Sequence, residues 1–190
     1  KLPANPSSKR IVTELRNWLA KNSDTCHLFA EPTALYPFEG VNERVKNQIL
    51  SGYTGTGEHN YTLESPFDWD GPNGSSRSHR YYMNAWLMLG ELLRSHSIEG
   101  NEKAYDIAKA IAIDWIEHHI FGERNDDFAW YDMGVGQRSC MLSYIVHCSI
   151  MKFKSGIFSW IFGSTSRASN EILKLIVASE IHMIELMDEE

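Results

Sequence analysis

YMNAWLMLGELLRSHSIEGNEKAYDIAKAIAIDWIEHH, residues 82–119, decides the fold class. Tyr82, Ala85, Trp86, Leu89, Leu93 and His96 recur at the i, i+3, i+4, i+7 spacing of one helix face. Gly100-Asn101 then supplies a terminator followed by a cap, so a second helix follows after a very short turn. That second helix, residues 102–119, is apolar over most of its circumference: Ala104, Ile107, Ala108, Ile111, Ala112 and Trp115. Its polar strip is narrow, running through Asp106, Lys109 and Glu117. A helix apolar on more than one side must be covered on more than one side, which predicts packed layers of helices. The fold class read here is all-α, built of antiparallel helical hairpins.

The same periodicity extends outward from this hairpin. Ile11, Leu15, Trp18 and Leu19 predict an earlier amphipathic helix after Pro6-Ser7-Ser8, and a shorter helix is expected over residues 41–50. Another is predicted from about Met133 into the 150s. A last one, from about Ala168 to Met187, carries the stripe Ile172, Leu175, Ile176, Ser179, Met183 and Leu186. No stretch alternates like a strand. Residues 51–77 hold Gly52, Gly55, Gly57, Gly71 and Gly74 among Tyr53, Tyr61, Phe67 and Trp69. A connection that long in a compact domain is frequently functional. Residues 122–131 form the second irregular stretch.

The 190 residues, 43% hydrophobic and 23% charged, suit one packed helical domain or part of a larger one. A net charge of −7 without any Lys/Arg run argues against nucleic acid or an anionic membrane surface, which need clustered cations. An acidic sugar remains open, because two or three placed cations suffice. No segment reaches the ~18 apolar residues of a membrane span. Cys26, Cys140 and Cys148 are an odd count, and a shared helix would put the last two roughly 12 Å apart, beyond disulfide reach. The chain starts at Lys1 and its first methionine is Met83, so the expectation is a removed leader or a piece of a longer protein.

Two constellations carry the chemistry. In Trp130-Tyr131-Asp132-Met133-Gly134-Val135-Gly136-Gln137-Arg138, Asp132 is expected to cap a helix whose apolar stripe is Val135, Leu142, Ile145 and Val146. Arg138 falls on that stripe. Its guanidinium therefore needs a buried carboxylate, loop carbonyls or a polar cleft. Gly134 and Gly136 weaken the first turns unless something packs closely there. The second constellation is Phe67-Asp68-Trp69-Asp70 followed by Arg77-Ser78-His79-Arg80-Tyr81-Tyr82. Aromatic faces stack against sugar C–H faces, and Arg matches a uronate or sulfate by paired hydrogen bonds. A core plug at Trp69 with solvated arginines is the competing reading. Trp69, Arg77, Arg80, Trp130, Asp132 and Arg138 are the candidate substrate-binding residues, lining or supporting a cleft.

Other motifs fail. The Gly52–Gly57 run lacks the Lys-Ser/Thr of a phosphate loop, and no zinc-ligand spacing occurs, so no cofactor and no metal are expected. His118 and His119 are adjacent and splay apart on a helix. His147 and His182 lie on or near apolar stripes, as core or groove residues.

Taken in order, Phe67-Asp68-Trp69, Arg77-Ser78-His79-Arg80-Tyr81, Asp114-Trp115-Ile116, Phe128-Ala129-Trp130-Tyr131-Asp132-Met133 and Arg138 resemble the N-terminal helical region of heparinase II/III-type polysaccharide lyases. The resemblance covers roughly residues 60–150. His79 and Asn84 stand where the family often has Trp and His. The resemblance implies part of an incomplete α/α toroid, followed in the family by a β-sandwich. It also implies an acidic polysaccharide or oligosaccharide partner cleaved by β-elimination, and a periplasmic or secreted setting. Elimination requires a neutralised uronate carboxylate, a base and an acid, which the family draws from an Asn-His pair and a tyrosine. This chain has no Asn-His dipeptide, so no catalytic residue is assigned and the chain alone is expected to be inactive.

Two alternatives belong to other classes. An inverting glycoside hydrolase on a toroid would use two carboxylates roughly 6.5–9.5 Å apart, from among Asp68, Asp70, Asp126, Asp127 and Asp132. A non-catalytic binding or interaction module would use the apolar residues 157–162 as its contact surface.

Overall fold

The computed structural model describes residues 41–53, 61–69, 76–122, 128–155 and 165–188. The expected helix over residues 11–19, and Cys26, Asp70, Asp126, Asp127 and residues 157–162, lie outside them. Among the described residues the chain is mostly helical and has no strand; Tyr53 and Tyr61 form one isolated antiparallel bridge. The helices are α1 (Val41–Ser51), α2 (Arg77–Asn84), α3 (Leu87–Glu99), α4 (Glu102–His119), α5 (Asp132–Ser155) and α6 (Thr165–Asp188).

The α3–α4 hairpin forms as its sequence dictates. Gly100 adopts φ 67°, a left-handed conformation that costs glycine nothing, and its N–H returns to the carbonyls of His96 and Ser95. Asn101 then caps α4, its side-chain oxygen accepting from Ala104 N at 3.2 Å while its Nδ2 donates to Ser95 Oγ. Asn101→Ala is expected to cost about 1 kcal/mol, read as a lower urea midpoint at unchanged slope.

Long-range bonds fix the helix directions. Tyr105, early in α4, donates to the Ile145 carbonyl and meets Ser149 Oγ at 2.7 Å, both late in α5. Arg138, early in α5, bonds His182, late in α6. Consecutive helices α3 to α6 therefore alternate in direction. Lys109–Glu171 and Glu117–Lys174 accordingly follow the same order along α4 and α6, which are parallel. The core holds Trp86, Met88, Leu89, Leu92, Leu93, Tyr105, Ile111, Trp115, Leu142 and Ile145, all almost wholly enclosed. As the narrow polar strip implies, α4 is covered by α3 on one side and by α5 and α6 on others.

One expectation needs correction. The stripe from Tyr82 to His96 predicts a single helix, yet the chain breaks between α2 and α3 at Ala85-Trp86. Trp86 takes φ 61° and ψ 30°, a region that strains any residue with a Cβ. Periodicity cannot reveal this break, because buried apolar residues flank it on both sides, Met83 before it and Met88 and Leu89 after it, although Tyr82, the first member of the stripe, is exposed. What holds it is tertiary: Trp86 is fully buried with its ring edge-on to Trp115 at 5.6 Å. The freed carbonyl of Asn84 finds a donor from α5, described below. A second correction is small: Asp132 is the first residue of α5 rather than its cap. Its Oδ1 accepts from Met133 N at 2.6 Å, and as an acid in the first turn it suits the helix dipole.

Candidate functional site

Arg138 is completely enclosed, so its three hydrogen-bonding nitrogens must be satisfied inside the protein. Nη1 donates to the carbonyl of Asn84 at the end of α2. Nη2 donates to the carbonyl of Ala129, in the segment leading into α5. Nε donates to His182 Nε2 on α6 at 3.0 Å. The guanidinium lies over the Trp115 ring, 4.3 Å from its centroid. Of the partners the sequence allowed, carbonyls were realised, together with an imidazole and an indole face. Burial lowers the guanidinium's pKa to about 9, against the opposing influence of Tyr81, and the group is a cation at neutral pH.

An arginine N–H can only donate, so His182 Nε2 is the acceptor and carries no proton. Its proton sits on Nδ1 and is donated to the Ala178 carbonyl at 2.7 Å. Burial, then the charge of Arg138, lowers the His182 pKa to about 4, despite the bond to Ala178. The imidazole is thus neutral in one tautomer.

Trp115 organises the cage. Its Nε1 donates to Asn84 Oδ1 at 3.0 Å, and the Asn84 amide donates to the Arg80 carbonyl. Trp130 and His182 approach its ring at 5.9 and 5.7 Å. Gly134 admits the close approach of α5 to α2: a Cβ there would lie 3.2 Å from Arg138 Nη1 and 3.8 Å from Tyr81 and Ala85. Gly136 has no such neighbour.

Outside this cage lies a face shared by α2 and the 128–132 segment. Arg77 and Arg80 both stand over the Phe128 ring, with Cζ 5.6 and 4.7 Å from its centroid. Tyr81 touches Tyr82 at 5.4 Å and Tyr131 edge-on at 5.7 Å. Tyr82 and Tyr131 are exposed, at 36% and 47%. Arg77 and Asp132 are exposed, while Arg80 and Trp130 are half-buried.

Trp69 is set apart from this face. It is buried with Nε1 donating to Asp114 Oδ2 at 2.8 Å, and it packs on Phe67 and, edge-on, on His119. Asp114 also accepts from Phe67 N and Ser65 Oγ, so one carboxylate pins the 65–69 loop to α4. Next to it, Tyr61 stacks on His79 at 4.8 Å and shares a 3.1 Å hydrogen bond with its Nδ1. Of the six candidates, Arg77, Arg80 and Asp132 can therefore meet a ligand directly, and Trp130 in part. Trp69 and Arg138 are buried.

Sequence reasoning did not single out Asn84, Trp115 or His182 as the partners of Arg138, nor Phe128 as the ring beneath Arg77 and Arg80. The one usable signal was an arginine on an apolar stripe, which demands enclosed acceptors without saying where they come from. Cys140 and Cys148 do share α5, and both are free thiols. A polar groove of about 520 Å³ runs between α4 and α6, lined by Ser65, Lys109, Asp114, Glu117, Glu171 and Lys174 among others. It contains none of the six candidates, and its lysines are already paired with Glu171 and Glu117 at 2.8 and 2.5 Å. No protein-family model, curated protein or solved structure matches this chain.

Proposed function

We propose that this chain is a helical domain of the heparinase II/III-like kind, part of an incomplete α/α toroid. In this reading it holds an acidic, uronate-containing polysaccharide or oligosaccharide without itself carrying the elimination chemistry. The observation that carries the reading is the pair Arg77 and Arg80, one turn apart on α2, both drawn over Phe128 beside exposed Tyr82 and Tyr131. A guanidinium matches a uronate carboxylate by paired hydrogen bonds, and exposed tyrosine rings supply flat surfaces for sugar C–H faces. The ordered motifs around these residues, and Arg138 behind them, support the family assignment. With no Asn-His dipeptide in the chain, the domain's part is to position the polymer while the family's base and acid come from other elements.

The test is titration calorimetry with a uronate oligosaccharide and a neutral oligosaccharide of equal length. Binding of the uronate alone, weakening with salt, is expected. Arg80→Ala should weaken it about tenfold, the equivalent of losing one charge-assisted hydrogen bond of ~1.4 kcal/mol. Equal affinity for the neutral sugar, or no effect of the arginine substitution, rejects the reading. Reducing-sugar release without an unsaturated product would favour hydrolysis instead.

A further inference from the structure

We infer that Arg138, although buried and out of reach of any ligand, is the positioning residue that sets the separation of the two walls of the Arg77/Arg80/Phe128 face. The ligand assigned to that face rests on the binding reading above; the positioning itself does not.

One wall is α2, which carries Arg77, Arg80 and Tyr81. The other is the 128–131 segment, which carries Phe128 and Tyr131. The two are about fifty residues apart in sequence, with α3 and α4 between them. Arg138 holds both by their backbones, Asn84 O at the end of the first wall and Ala129 O beside Phe128 in the second. The planar fork of a guanidinium fixes the angle between its bonds, so the two carbonyls are held at one mutual distance. His182 takes the third donor and Trp115 the face, which leaves the fork a single orientation. Gly134 gives the fork its room. A lysine at this position presents three donors on a rotating head and holds no such angle.

The readout must be one that a merely stabilising arginine would not move. Arg77 and Arg80 lie over the Phe128 ring, so the ring current shifts their side-chain NMR signals upfield, and Phe128→Leu defines the unshifted reference. In Arg138→Lys, recorded where circular dichroism shows native helix content, the upfield shift of Arg80 is expected to fall by more than half. Uronate affinity should drop about tenfold with the loss of preorganisation. His182→Leu takes the acceptor from Arg138 Nε and leaves both carbonyl bonds of the fork in place, so it should give a smaller loss of the same shift; it covers the case of a lysine variant that does not fold. An Arg80 shift equal to wild type in the folded variants overturns the inference. Should wild-type protein bind no uronate, the polysaccharide reading fails, and the ligand-free ring-current measurement still decides this one.

Discussion

Arg138→Met is expected to lower the unfolding free energy by about 3 kcal/mol, a large share of the 5–15 kcal/mol typical of a domain. Two opposing effects set this figure. Removing the guanidinium returns the cost of burying a cation, the same desolvation that lowers its pKa. Against this, the carbonyls of Asn84 and Ala129 lose their donor in a site with no access to solvent, at about 1–3 kcal/mol each. The cation–π contact with Trp115 is worth up to about 2 kcal/mol when desolvated. The α2–α3 break tips the balance. Trp86 is held in a left-handed conformation only because its surroundings are fixed, and Arg138 satisfies the carbonyl two residues before it. Urea denaturation at neutral pH should show a lower midpoint with an unchanged slope. A variant as stable as wild type would mean that the carbonyls find other donors, and the role given to Arg138 at the break would fall.

How far the sequence led follows from where each determinant lies. The α3–α4 hairpin was legible because everything that makes it is local: a periodic stripe, Gly100 to end one helix and Asn101 to begin the next. The extent of α5 and α6 was legible for the same reason. The break at Trp86 was not, because its stabilisation comes from Trp115 and Arg138, which lie roughly thirty and fifty residues further on. Arg138 shows the boundary most clearly. Its position on an apolar stripe required enclosed acceptors, but their identity depends on how α2, the 128–131 segment and α6 meet. The exposed candidates follow the same logic. Arg77 and Arg80 stood out by composition and spacing, whereas the ring that orders them comes from a different segment. Trp69 reads as a ligand platform or as a core plug on composition alone. Only Asp114, drawing its indole N–H inward, decides for the buried position.

The second large effect is a pH dependence of stability centred on His182. The imidazole titrates at about 4 in the folded protein, against an ordinary value of 6.5. Between these values the unfolded chain takes up a proton that the native state refuses, so stability falls as the pH falls. The contribution is complete above about pH 6.5 and lost by about pH 4, amounting to roughly 3 kcal/mol at 1.36 kcal/mol per unit. The structural cause is explicit. Protonation at Nε2 would turn the acceptor of the Arg138 Nε–H into a donor and set two cations together beneath Trp115 and Trp130. His182→Gln isolates the effect, because its amide oxygen still accepts from Arg138 while nothing titrates. The wild-type minus variant stability should be level above pH 6.5 and decline by about 3 kcal/mol toward pH 4, the paired surface carboxylates cancelling in the difference. NMR titration of the imidazole gives an independent check, since a midpoint near 6.5 would show that neither burial nor Arg138 holds His182 neutral. The sign of that difference separates two views of the cage. If His182 could take up a proton where it stands at no cost, the variant difference would stay flat with pH. If the neutral imidazole is a required acceptor for a buried cation, acid attacks the native state at this bond.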